Sequence, residues 1–176
     1  HPETVALVRR VIGEFQLPIV VDADGLNALA ETGFEGGSLV LTPHPGEMSR
    51  LTGASTASIQ ENRVGAARGL ASSRRVTVIL KGQRTLLAFP DGQVWINPTG
   101  TPAMASGGSG DILAGMIAGL LAQFPSQREL AIAAAVYLHG RAGELGAAAL
   151  GEKALLATDL LEFLPEAMDE CADLPD

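Results

Sequence analysis

Short β-branched runs alternate with helix-patterned segments along this chain, and that alternation constrains the fold more than any other feature. Residues 17–22, 38–42 and 75–80 are dominated by Val, Ile and Leu. Runs of that length and composition read as buried strands. Helix patterns occupy residues 3–15, 25–32 and 47–51, the last closed by Gly53. Ser58 and Glu61 form a capping box that predicts a helix to about residue 72, and Ser126 with Glu129 opens a long Ala-rich helix. A further helix runs from Ser109 or Asp111 to Gln123, and the last starts at Thr158 or Asp159 and runs towards Met168. Residues 85–89 and 93–96 flank Pro90-Asp91-Gly92, a hairpin signal. The expected architecture is α/β, with a mostly parallel central sheet, helices on both faces and an antiparallel addition at the hairpin.

Size and charge narrow the function classes. The 176 residues suit a single domain, residues 1–176, with a sizeable core. Hydrophobic residues make up 47% and charged residues 18%, a globular rather than disordered profile. Aromatic residues are 4%, so Ala, Leu, Val and Ile must build the core. A net charge of -8 argues against a nucleic-acid partner, which needs clustered Lys and Arg. It leaves room for a small phosphate ligand held by backbone N–H groups. Cys171, in an acidic tail, is the single cysteine, so no disulfide framework or cysteine metal site is expected and a cytoplasmic setting is. No secretory signal is visible, and the apolar stretch 112–122 is shorter than the roughly 20 residues of a membrane span. The opening His1-Pro2-Glu3 runs directly into a helix pattern, which suggests a start inside a larger parent. No role is assigned to His1.

Ligands of open α/β sheets bind beyond the carboxyl ends of the strands. Four polar features sit just after strands or in the loop that follows them, and are expected on one rim: Asp22-Ala23-Asp24, Thr42-Pro43-His44, Lys81-Gly82 and Gly107-Gly108-Ser109-Gly110-Asp111. The glycine turn opens a helix, so free N–H groups and a positive dipole end are available to phosphate. Asp111 can take a proton from a hydroxyl beside that phosphate, or simply cap the helix. His44, stiffened by flanking prolines, can offer a ring nitrogen to a ligand, or be structural. Glu47 can orient a water or help hold Mg²⁺ near a nucleotide, or favour a helix start. Lys81 can reach a phosphate, or lie in an exposed turn. Asp24 reads as a helix cap, and Asn27 can contact a ligand from the first helical turn. His139 and Glu144 lie five residues apart on the long helix and do not share a face closely, and His139 reads as structural.

The order of these segments resembles the NAD(P)H-hydrate dehydratase family. The resemblance rests on residues 21–29, 41–48, Leu80-Lys81-Gly82, the loop from Asn97-Pro98-Thr99-Gly100 to the glycine turn, and Val136-Tyr137-Leu138-His139-Gly140. It implies a ribokinase-like three-layer α/β/α fold whose N-terminal part is missing, since family members carry roughly a further domain-half upstream. One departure is the run Thr101-Pro102-Ala103-Met104-Ala105-Ser106, where the family has an amide in place of Thr101 and a glycine in place of Ala103.

The resemblance also implies function. The family restores NADH or NADPH from its hydrate, in the S form, at the expense of ADP in the bacterial type or ATP in the eukaryotic type. Here that implies an ADP-dependent hydro-lyase. His44 and Asp111 would contact the hydrated cofactor, with Asp111 catalytic. Lys81, Gly82, Gln83, Arg84, Thr85 and Gly110 would contact the nucleotide. Asn97, Gly108 and Ser109 belong to the same loop and turn. Mg²⁺ is implied as the nucleotide's counter-ion, with no metal held by a protein ligand set. A homo-oligomer, as a tetramer, is the expected assembly. The alternatives are a vitamin-precursor kinase of the same fold and a non-catalytic assembly module of a repair protein.

Overall fold

The computed structural model describes residues 2–36 and 38–172, so His1 lies outside the described residues. The chain divides into two compact units, residues 1–96 and 97–176. The first contains α1 (Pro2–Glu14), β1 (Ile19–Val21), α2 (Asp24–Thr32), β2 (Leu39–Leu41), α3 (Pro45–Thr52), α4 (Thr56–Glu61), α5 (Arg63–Arg74), β3 (Thr77–Leu80), β4 (Leu86–Ala88) and β5 (Val94–Ile96). The second contains a 3-10 turn (Pro102–Met104), α6 (Ser109–Gln123), α7 (Arg128–Leu150) and α8 (Asp159–Ala172).

The sheet of the first unit is ordered β1-β2-β3-β4-β5. Strands β1 to β3 pair in parallel, with Ile19 opposite Leu39 and Val40 opposite Thr77. Strands β3 to β5 pair antiparallel, with Val78 opposite Ala88 and Leu86 opposite Ile96. The sheet is therefore mixed rather than mostly parallel. Residues 81–85 are too few for a parallel crossover, which takes a dozen or more, so the chain reverses directly from β3 into β4. Strands β2 and β3 are buried along their whole length, as the continuous apolar runs require. Leu39, Leu41, Val78 and Leu80 of these strands meet Leu26, Leu29, Met48, Leu70 and Val76 in one apolar cluster.

Two capping boxes read from the sequence do not form. Ser55, not Ser58, caps α4: its Oγ accepts the Ser58 N–H at 3.1 Å. The helix expected to run on to about residue 72 breaks at Asn62, whose side chain accepts the Gly65 N–H at 2.9 Å and starts α5 afresh. Asn62 competes for the backbone there, as Asn does at helix starts. Helix α7 begins at Arg128, with Gln127 at the cap position and no side-chain cap from Ser126.

In the second unit, the loop after Asn97 is tied to α7. Thr99 Oγ1 donates to the Tyr137 carbonyl at 2.9 Å, and the Gly100 N–H donates to Glu144 Oε1 at 2.8 Å. Glu144 also accepts from Arg141 at 2.9 Å, and Arg141 makes a two-pronged contact with Glu170 of α8 at 2.6 and 2.8 Å. The hydrogen bonds to Glu170 and Glu144 push the Arg141 pKa up, and Arg141 holds that of Glu170 down. Cys171 belongs to α8 and packs beside Leu138, Ala142 and Ala167, not in a separate tail. Among the described residues no helix is long and apolar enough to cross a membrane.

Candidate functional site

Parallel alignment of β1, β2 and β3 carries Asp22, His44 and Lys81 past the same ends of the strands. Thr42 is fully buried and locks this edge, its Oγ1 donating to the Val21 carbonyl at 3.3 Å. The Lys81 N–H donates to the Pro43 carbonyl at 2.8 Å. Three of the four features expected at one rim are thus together in the first unit. The glycine turn belongs to the second unit.

His44 is the N-cap of α3, with Pro45 next to it in the first turn. Its Nδ1 accepts the N–H groups of Gly46 at 3.0 Å and Glu47 at 3.4 Å. In return, Glu47 Oε2 accepts the His44 N–H at 2.8 Å, completing a capping box. The ring folds back over Gly46, where a Cβ would stand 2.9 Å from His44 Cε1. Because Nδ1 is an acceptor, these bonds assign the ring proton to Nε2, which lies 3.5 Å from Glu47 Oε1. The His44 side chain is 51% exposed, while the bonds at Nδ1 fix the ring's orientation.

Lys81 turns towards this cap. Its Nζ lies 2.8 Å from Asp22 Oδ1 and 3.8 Å from Glu47 Oε2, with all three side chains mostly shielded. Asn27, expected to face a ligand, is held by its neighbours: Oδ1 accepts from Arg50 at 2.8 Å and Nδ2 donates to Asp24 at 3.3 Å. Asp24 does not cap α2. That position falls to Ala23, which has φ 48° and ψ -118°, no side-chain cap, and a carbonyl that accepts from Leu26 and Asn27.

Residues 81–84, with Pro45, Gln60, Arg63, Leu86 and Ile96, line a cavity of about 610 Å³. Thr85 Oγ1 closes the loop by donating to the Gly82 carbonyl at 3.2 Å. The sequence reading missed Arg63. Its guanidinium donates to the carbonyls of Gln83 at 2.5 Å, Leu80 at 3.2 Å and Lys81 at 3.4 Å. Burial lowers its pKa from the ordinary arginine value. An Arg near a helix start carried no signal, because its partners are backbone carbonyls of any residue type.

In the second unit, Gly108 caps α6 with φ 95°, a left-handed conformation that suits glycine. No side chain caps this helix. Among the described residues, the N–H groups of Gly110 and Asp111 take no partner, and the Asp111 side chain is exposed. Asp111 therefore lies in the first turn and is not the cap. Ser109 is buried, and its carbonyl stands 3.0 Å from His139 Nε2. Desolvation lowers the His139 pKa, while the hydrogen bond to Ser109 partly opposes that. Asn97 is turned onto its own loop, with Nδ2 donating to the Thr99 carbonyl at 3.0 Å.

The whole pattern has known counterparts. Residues 1–166 match the family described as NAD(P)H-hydrate dehydratase. The bifunctional NAD(P)H-hydrate repair enzyme Nnr of Moorella thermoacetica is 52% identical over 169 residues, covering 93% of this chain and 32% of that enzyme. The ADP/ATP-dependent NAD(P)H-hydrate dehydratase of Bacillus subtilis, crystallised with ATP/Mg²⁺ and soaked with CoA, superposes with a TM-score of 0.80 at 41% identity, over 87% of this chain and 56% of that one. A ribokinase-like superfamily protein of Enterococcus faecalis gives a TM-score of 0.81 at 30% identity, over 94% and 58%. The chain spans about a third of the Moorella enzyme and little more than half of each solved chain. On the match over residues 1–166, the chain belongs to the NAD(P)H-hydrate dehydratase family.

Proposed function

We propose that this chain is part of an enzyme that dehydrates the S form of hydrated NADH or NADPH back to the reduced cofactor, with ADP, or less readily ATP, as phosphoryl donor. The observation that carries this reading is the pairing of free N–H groups at Gly110 and Asp111 with an exposed carboxylate on the same helical turn. The hydroxyl added to the nicotinamide ring is a poor leaving group. Phosphoryl transfer onto its oxygen makes it a good one. Asp111 takes the hydroxyl proton as the oxygen attacks phosphorus, and the turn N–H groups stabilise charge on the moving phosphoryl group. The lone pair of the ring nitrogen then expels phosphate, and loss of a ring proton restores the double bond.

In this reading residues 81–85 and Gly110 hold the nucleotide, and His44 donates its Nε2–H to the hydrated cofactor. Among the described residues no group of three or more His, Cys, Asp and Glu side chains is placed to hold a metal ion. The nearest candidates, Asp22 and Glu47, are engaged by Lys81 and His44. In this reading Mg²⁺ comes with the nucleotide phosphates. The two units are read as parts of one ribokinase-like three-layer domain that works in the cytoplasm within a homo-oligomer.

The test incubates the full-length protein with hydrated NADH and ADP or ATP and follows recovery of dihydronicotinamide absorbance. Recovery in the natural protein and its loss in Asp111→Asn are expected. Phosphorylation of a vitamin alcohol with no recovery would sink the reading in favour of a kinase.

A further inference from the structure

We propose that Arg63 is a positioning residue for nucleotide binding: it draws the carbonyl that ends β3 and two carbonyls of the loop after it inward, and so leaves that loop's N–H groups free for phosphate. The inference rests on the nucleotide reading above and assigns a role to a residue outside the loop itself. The carbonyls of Leu80, Lys81 and Gln83 all point at one guanidinium. Among the described residues, the N–H groups of Gly82, Gln83 and Arg84 take no backbone or side-chain acceptor. Carbonyls gathered on one side and unpaired N–H groups in succession make an anion-binding concavity.

The loop does not hold this shape by preference. Gly82 has φ 135° and Arg84 φ 53°, and the latter is uncommon for a side chain of that kind. Arg63 is also placed at a cost, because its Nε is buried with no hydrogen-bond partner. Its fit is close: a Cβ on Gly82 would stand 3.2 Å from Nη2. A planar guanidinium with several donors can bridge three carbonyls at fixed angles, whereas a lysine ammonium on a flexible stem cannot. The same cavity is lined by Arg84 and Gln60, which add a positive charge and an amide to the phosphate's surroundings.

The experiment measures ADP binding by calorimetry, and KM for nucleotide and for hydrated NADH, in full-length natural protein, Arg63→Met and Arg63→Lys. Both variants are expected to weaken ADP binding and raise the nucleotide KM by about tenfold, with the KM for hydrated NADH nearly unchanged. Methylguanidinium is expected to restore part of the ADP affinity in Arg63→Ala, which a loss of general stability would not allow. Natural ADP affinity in folded Arg63→Lys would overturn the inference while leaving the proposed function standing. Should Arg63→Met fail to fold, Arg63→Lys decides the matter alone. No ADP or ATP binding by the natural protein would remove both readings at once.

Discussion

The ammonium of Lys81 lies 2.8 Å from the carboxylate of Asp22, joining the ends of two strands that are not neighbours in the sheet. Strand β2 runs between them, and its extension supplies Glu47, 3.8 Å from the same ammonium. One positive charge thus serves two carboxylates, and one of those carboxylates fixes the backbone of His44. The arrangement explains why Lys81 bends back under the histidine cap.

Breaking this pair should be costly but not as costly as in a dry core. Lys81→Met leaves Asp22 and Glu47 facing each other without a counter-charge. Fully buried pairs lose about 3–5 kcal/mol when one partner is removed, and the residual exposure of this one reduces that to about 1–3 kcal/mol. Urea unfolding of Lys81→Met, Asp22→Asn and the double variant would measure it. A coupling near zero would show that the two side chains do not depend on each other.

What the sequence made legible follows from the range of each interaction. The strands, the hairpin and the helix closed at Gly53 are written in local periodicity and turn residues. The His44–Glu47 box spans only three positions, yet the same residue types suit ligand chemistry as well as a helix start, so the sequence does not single out the cap. The Lys81–Asp22 pair joins residues 59 positions apart, so it is visible only once the parallel register is known. Arg63 could not be read at all, because its partners are carbonyls. Asn62 breaks a helix that the 3.6-residue pattern continues across, since the apolar face of α4 and α5 is set by packing and the break by one side-chain hydrogen bond.

Ala23 stores strain beside Asp22. Its φ of 48° with ψ of -118° is a conformation that glycine adopts far more readily. Ala23→Gly should relieve about 1–3 kcal/mol of strain and lose about 0.5–1 kcal/mol to the added freedom of the unfolded chain. A net gain of about 1 kcal/mol corresponds to a melting point raised by roughly 2–4 °C for a chain of this size. Differential scanning calorimetry would show it. A lower melting point would mean that the methyl group packs usefully enough to outweigh the strain.

Gly140 marks the tightest approach in the second unit. A Cβ there would fall on Thr99, 2.8 Å from its carbonyl carbon, and 3.0 Å from the Gly100 nitrogen. Those are backbone atoms, held by the Thr99 and Glu144 hydrogen bonds. At Gly143 an added Cβ would instead meet the Met104 side chain, which can move aside. Gly140→Ala should therefore destabilise by several kcal/mol, and Gly143→Ala by about 1–2 kcal/mol. Equal costs in chemical denaturation would contradict this account of how the loop is seated.

His139 should give the second unit a pH dependence of definite sign. Burial lowers its pKa in the folded chain below the ordinary value of 6.5, despite the opposing hydrogen bond to Ser109. Between those two values the unfolded chain binds the proton and the folded chain does not. The stabilising contribution is therefore complete above pH 6.5 and is lost as the pH falls from there through the lowered folded value. His139→Gln replaces the titrating ring by an amide that can still donate to the Ser109 carbonyl. Stability measured by urea unfolding at pH 8 and pH 5 should fall more steeply in the natural chain than in this variant. The same substitution tests the link to the glycine turn, because Ser109 opens α6 and its carbonyl is the group His139 holds. Identical pH slopes in the two proteins would mean that the ring is not protected from protonation at that helix start.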